Sequence, residues 1–254
     1  MARMIVQETA LGRRIDDIDV LDRKMFVKGT EEEMRRSFLG SEVTGTFRHG
    51  KNLLIGIGDR WLYVHLGMSG SLHMVGPGER TPHQRLRLGM GGSALVLDDP
   101  RRFGRFGLYR RPEDLVSEKG LGPDALRITD RELAERMEGR RGAIKPLLLD
   151  QSILAGVGNL YADECLFQEG LHPATGVRVM TGAELTGLGR RVRKVLETSI
   201  AAGTDFAKLP DGSLLRRREE GAPCPRCGRE LASMRLGGRT TVLCPACQPF
   251  RADW

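Results

Sequence analysis

The 254-residue chain contains no run of eighteen or more apolar residues, and its first twenty positions carry Arg3, Glu8, Arg13, Arg14, Asp16 and Asp17. A membrane-spanning helix needs about twenty apolar residues and a secretory leader needs an unbroken apolar stretch, so neither is predicted. The expectation is a soluble, cytoplasmic protein with no membrane partner. Internal repeats and low-complexity tracts are missing as well, which leaves ordinary globular domains. Two nucleotide-binding signatures are also absent. Around Gly156 and Gly158 the third glycine of a dinucleotide fingerprint is replaced by Tyr161, and the preceding "IKPLLLDQ" has a helical rather than a strand pattern. The lysine and Ser/Thr of a phosphate loop are missing there too.

Acidic residues are scarce in one place. Between Arg85 and Arg111 seven arginines face only two acids, Asp98 and Asp99, whereas the whole chain has 40 Lys plus Arg against 33 Asp plus Glu. A concentrated basic segment is one part of a nucleic-acid footprint, although a solvated charged face gives the same composition. With 40% hydrophobic residues the chain can bury a core as one large domain or two smaller ones.

From Ile15 to Tyr109 apolar residues recur every second position between turn signals, which predicts an antiparallel β-sandwich or barrel. From Pro123 to Gly203 the period becomes helical. Helices are expected over Glu132–Met137, Ile144–Asp150, Tyr161–Gln168 and Gly182–Ala202, the last behind a Thr181-x-x-Glu184 capping box. The polar connection "PDGSLLRRREEGAP" then leads into a cysteine-rich tail. The expected fold is α+β and multidomain: residues 1–116 form the sheet domain, 117–209 the helical domain, and 210–254 the linker and finger.

Cys224-x2-Cys227 and Cys244-x2-Cys247, separated by 16 residues, have the spacing of a four-cysteine zinc site. Disulfides are the alternative, and a reducing compartment disfavours them. With all four thiolates used as ligands no coordination position stays open, so one structural zinc ion is expected. The fifth cysteine, Cys165, falls on the apolar side of a helix and reads as core. Gly156, Gly158 and Asn159 sit between two helical runs, where the unpaired amides of the second helix could receive a phosphate oxygen. A plain helix-turn-helix corner explains these glycines equally well.

The stretch "AIKPLLLDQSILAGVGNLYADECLFQEGLHP", together with "RHGKNLL", "HLGMSGSL", "DPRRFGRFG" and the cysteine tail in that order, resembles the formamidopyrimidine-DNA glycosylase and endonuclease VIII family from Leu11 to Cys247. The resemblance implies a β-sandwich and a helix-two-turns-helix domain flanking a DNA cleft. It further implies excision of damaged, oxidised bases from double-stranded DNA, abasic-site lyase activity and a monomer. Lys51 then corresponds to the hairpin lysine near the sugar and phosphate. Met68, Arg101 and Phe103 correspond to the trio that fills the space of the extruded base, with Arg102 beside them on the DNA. Lys145 and Asn159 correspond to phosphate-binding positions, and Arg239 to the finger arginine that grips phosphate at the lesion. Lys51 and Arg239 are the catalytic-site residues implied by this likeness, and His83 falls near a DNA-contacting histidine. The segment Ala201–Arg218 is shorter than the lesion-capping loop of relatives that prefer oxidised purines. A zinc-ribbon module of a translation or transcription complex would explain the cysteines but not Met68, Arg101 and Phe103.

At the front, the family's Pro-Glu pair, nucleophile and proton carrier, has no counterpart in "MARMIVQETALGRRI". "QETALGRRI" resembles the end of the family's first helix, which places about eight residues before it. The expectation is a start assigned too late, with Met-Pro-Glu encoded upstream and the amine of Met1 or Ala2 too far away to replace the proline. The alternative is a damaged-DNA-binding protein without catalysis.

Overall fold

A computed structural model describes residues 2–251. It divides into two compact units, one ending at Lys119 and the other starting at Gly120.

In the first unit, helix α1 (Ala2–Thr9) precedes β1 (Asp17–Val20), β2 (Phe26–Lys28) and helix α2 (Glu31–Phe38). Strands β3 (Val43–His49), β4 (Asn52–Ile57), β5 (Arg60–His65), β6 (Ser71–Val75), β7 (Gln84–Met90), β8 (Ser93–Asp98) and β9 (Arg105–Tyr109) follow, and α3 (Pro112–Glu118) closes the unit. They form two sheets, ordered β1-β7-β8-β6 and β2-β9-β5-β4-β3. Strand pairing is antiparallel apart from β2, which runs parallel to β9.

The alternation in the sequence explains the layering. Along β7, Leu86, Leu88 and Met90 point into the core while Arg85 and Arg87, alternating with them, do not. These side chains, with Leu95 and Leu97 of β8, share one cluster with Leu53, Ile55, Leu62, Val64 and Phe106 of the other sheet. Each fully buried aliphatic side chain contributes on the order of 2 kcal/mol. Val6 of α1 and Ala10 just beyond it complete the cluster.

Helix α2 interrupts the predicted run of strands. Its signal was a capping box: Thr30 Oγ1 accepts from the Glu33 amide at 3.1 Å, and Glu33 Oε2 accepts from the Thr30 amide at 2.9 Å. Met34 and Phe38, four apart, then bury one face of the helix.

The second unit holds α4 (Asp130–Met137), α5 (Ile144–Leu149), α6 (Asn159–Glu169), α7 (Gly182–Ala201) and the hairpin β10 (Ala232–Leu236) to β11 (Arg239–Leu243). All four helices predicted after Pro123 are present within two residues of their expected ends. The Thr181 box closes as expected, with Glu184 N donating to Thr181 Oγ1 at 3.2 Å and Thr181 N donating to Glu184 Oε2 at 2.8 Å. Cys165 is fully buried among Leu133, Leu148, Leu166 and Leu188, and burial pushes its thiol up, so it serves as core. Among the described residues no helix is long and apolar enough to cross a membrane.

Candidate nucleic-acid interface

On the first unit, the turn between β5 and β6 and the loop between β8 and β9 carry three of the expected residues. Met68 is 75% exposed and Phe103 is 53% exposed, an unfavourable placement for large apolar groups unless something covers them. The Arg101 guanidinium lies over the Phe103 ring at 5.6 Å from its centre.

Asp99 joins the two loops. Fully buried, it accepts from Ser69 Oγ at 2.6 Å and from the Arg101 amide at 3.2 Å through Oδ1, and from the Gly104 amide at 2.7 Å through Oδ2. Burial alone would push its carboxyl up, but the Ser69 hydroxyl and the Gly104, Arg101 and Phe103 amides outweigh this and hold it below the usual carboxylate value. Gly67 allows the close approach. Its φ is +63°, and a Cβ there would lie 2.7 Å from the Phe103 carbonyl carbon. The two loops therefore pack backbone to backbone, and Met68 and Phe103 are presented together.

His65 supports the Met68 turn, because its Nδ1 accepts from the Gly67 amide at 3.0 Å. Burial lowers its pKa, with smaller contributions from the cations Lys119, Lys51 and Arg105. The neutral ring thus keeps Nδ1 free to accept. A histidine whose folded pKa is depressed contributes stability that is fully present above its unfolded value of about 6.5 and is lost as pH falls below that value. An NMR titration of His65 is expected to show a midpoint below 6.5, with Gly67 amide exchange accelerating over the same range. A midpoint at or above 6.5 contradicts this arrangement.

Lys51 is exposed on the tight β3–β4 hairpin, beside Gly50 with its φ of +58°. Arg102 takes a left-handed φ of +60° and pairs with the buried Asp22 through Nε–Oδ2 at 2.5 Å and Nη2–Oδ1 at 3.0 Å. This guanidinium holds the Asp22 carboxyl below its usual value. His83 is exposed just before β7, and its carbonyl accepts from the Asp99 amide at 3.0 Å.

On the second unit, Gln151 holds the turn before α6: its Oε1 accepts from Gly156 N at 3.0 Å, and its Nε2 donates to the Leu149 and Val157 carbonyls at 2.8 and 3.1 Å. Gly158 caps α6 without a side-chain hydrogen bond, and no acid occupies the first turn. Asn159, the first helical residue, donates through Nδ2 to the Thr240 carbonyl at 2.9 Å. Lys145 is fully buried; its Nζ lies 2.6 Å from Asp163 Oδ1 and 2.6 Å from Thr241 Oγ1. Arg239 is exposed at the start of β11, directly after the positive-φ pair Gly237 (+56°) and Gly238 (+73°) that a two-residue hairpin turn requires. Its guanidinium has no ion pair among the described residues.

The four tail cysteines bring their sulfurs within 4.8 Å of one another, with Cys224–Cys247 at 3.9 Å and Cys227–Cys244 at 3.5 Å. Disulfide bonding would require about 2.05 Å. A tetrahedral zinc with bonds of about 2.3 Å separates its sulfurs by roughly 3.8 Å, so this cluster suits a structural zinc with no open position.

The segment Ala201–Arg218 lies against the helices. Leu209, Leu214 and Leu215 are buried, Glu164 Oε2 accepts from the Leu215 amide at 2.8 Å, and Gln168 Nε2 donates to the Gly212 carbonyl at 2.9 Å. The residues that sequence reasoning did not single out are Asp99, His65 and Asp163. Asp99 had one visible sign, as an acid inside the arginine-rich segment. At the front, the expectation placed on Met1 lies outside the described residues, and Ala2 opens α1.

The chain thus combines a two-sheet unit bearing exposed Met68, Arg101 and Phe103, a helix-turn-helix corner and a cluster of four cysteines. Three family descriptions match in order: the formamidopyrimidine-DNA glycosylase N-terminal domain over residues 1–106, the formamidopyrimidine-DNA glycosylase H2TH domain over 120–210, and the zinc finger found in FPG and IleRS over 221–249. The formamidopyrimidine-DNA glycosylase of Gluconobacter oxydans is 37% identical, covering 85% of this chain and 86% of that protein. The one from Desulfitobacterium hafniense is 34% identical, covering 97% and 96%. A solved complex between the Lactococcus lactis Fpg and an abasic site containing DNA superposes with a TM-score of 0.88 at 26% identity, over 98% of this chain and 97% of that one. The chain belongs to the formamidopyrimidine-DNA glycosylase family, whose members are DNA glycosylases with abasic-site lyase activity that work in base-excision repair.

Proposed function

We propose that this chain engages damaged double-stranded DNA as a monomer carrying one structural zinc, acting on nucleoid DNA in the cytoplasm. Met68, Arg101 and Phe103 replace the stacking and base contacts of an extruded nucleotide, and Lys51, Asn159 and Arg239 hold phosphates around it. The observation that supports this best is the exposure of Met68 and Phe103 on two loops locked together by Asp99. Unstacking a base costs a few kcal/mol, and a rigid apolar wedge offsets that only where the base has left the stack. A titration at fixed salt is expected to show tighter binding to a duplex with an abasic-site analogue than to intact duplex. Met68→Ala should erode that preference about ten-fold while leaving intact-duplex affinity nearly unchanged. Equal affinity for both duplexes, or an unaltered preference in Met68→Ala, removes the wedge assignment.

A further inference from the structure

The β11 edge not paired with β10 presents the Thr240 carbonyl and the Val242 amide, and both hydrogen-bond to side chains from other segments of the same unit. Three donors from different segments converge on the carbonyl: Asn159 Nδ2 at 2.9 Å, Arg218 Nη2 at 2.9 Å and Lys145 Nζ at 3.4 Å. The Val242 amide donates to Asp163 Oδ2 at 3.1 Å. Asp163 is fully buried and binds the same two cations, Lys145 through Oδ1 at 2.6 Å and Arg218 through Oδ2 at 2.5 Å. One carboxylate on α6 therefore anchors the strand edge directly and orients two of the three donors that grip its neighbouring carbonyl. That carbonyl belongs to the residue immediately after Arg239.

We infer that Asp163 is a positioning residue for Arg239, and that Lys145 and Arg218 act with it on the finger hairpin rather than on phosphate. The inference rests on the proposed phosphate role of Arg239. An exposed arginine at a hairpin tip has a poorly fixed base; here its backbone is held one peptide away by a buried, charge-assisted network. The two-glycine turn behind it rests on α5, where a Cβ added to Gly237 would be 3.4 Å from Pro146 Cγ. Lys145, enclosed and directed at Asp163 and Thr241, has no path to a phosphate without opening this network.

The test compares the zinc-loaded full chain with Arg239→Ala, Asp163→Asn and the double variant, measuring affinity for abasic duplex across a range of salt. Asp163→Asn should mimic Arg239→Ala, losing roughly ten-fold in affinity and about one from the salt slope, as one lost phosphate contact does. The double variant should be no worse than Arg239→Ala alone. Arg218→Gln, at the more open end of the network, gives the same comparison should Asp163→Asn fail to fold. Additive losses, or an unchanged salt slope in both network variants, overturn the positioning role. An Arg239→Ala chain that binds normally overturns the phosphate reading beneath it, which separates the two failures.

Discussion

Stripping the metal with a chelator, or replacing Cys244 with serine, is expected to unfold the finger and weaken binding to abasic duplex by a hundred-fold or more. The small core beneath the cysteines is Phe167, Leu214, Leu231 and Val242, together with the sulfurs of Cys224 and Cys244 themselves. So small a core cannot hold the finger folded by itself. Zinc binding, on the order of 10 kcal/mol in small fingers, supplies folding free energy that the core lacks. The loss extends beyond the finger. Cys244 N donates to Gln248 Oε1 at 2.9 Å, and Gln248 Nε2 donates to the Leu171 carbonyl just past α6 at 2.8 Å, so the second knuckle is tied to the helical unit. When β11 leaves, Asp163 loses the Val242 amide and Lys145 loses Thr241, which leaves buried charge short of partners at a cost of several kcal/mol. The sheet unit has its own core and should keep its circular dichroism signal. Metal analysis, far-UV spectra and duplex titrations of the stripped chain check this. A metal-free protein that retains Arg239-dependent affinity would refute it.

The parts of this fold that repeat a local rule were legible in the sequence. Two-residue alternation in "RLRLGM" became β7, the Thr181–Glu184 box opened α7, and the cysteine spacing became a cluster of four sulfurs. Helix α2 was missed even though Thr30 and Glu33 signal it, because its few apolar residues lie within a region read for strand period. The parallel β2–β9 pair was not legible, since strand order depends on contacts far apart in sequence. The site divides in the same way. Met68, Phe103 and Arg239 carry their signal in local motifs and are exposed in the structure. Asp99 and Asp163 act by receiving hydrogen bonds from residues distant in the chain, such as Ser69 to Asp99 across thirty positions and Val242 to Asp163 across seventy-nine. No local pattern announces an acceptor of that kind. Lys145 illustrates the remaining ambiguity, because the same lysine in the same motif could face a phosphate or a buried aspartate, and burial alone separates the two.

Asp99→Ala is expected to abolish the preference for a lesion while leaving the zinc site and general duplex binding in place. The substitution removes the common acceptor of Ser69 Oγ and the Arg101 and Gly104 amides in a fully buried spot. Each orphaned donor costs about 1–3 kcal/mol, partly relieved because the buried charge itself disappears, so a net destabilisation of roughly 3 kcal/mol is expected. The loops cannot easily repack around the loss, since Gly67 already lies against the Phe103 backbone. They should separate, and Met68 and Phe103 should stop acting as one wedge. Asp99→Asn tests charge apart from shape: it keeps the volume but turns an NH2 donor toward other donors, and should recover only part of the preference. The pH dependence follows from the same hydrogen bonds. A carboxyl held below its unfolded value of about 3.9 gives stability that is complete above that pH and is lost as pH falls through the lower folded value. The wild-type thermal midpoint should therefore fall more steeply below pH 4 than that of Asp99→Ala. If Asp99→Ala keeps both the wild-type melting temperature and the abasic-to-intact affinity ratio, Asp99 does not hold the wedge together.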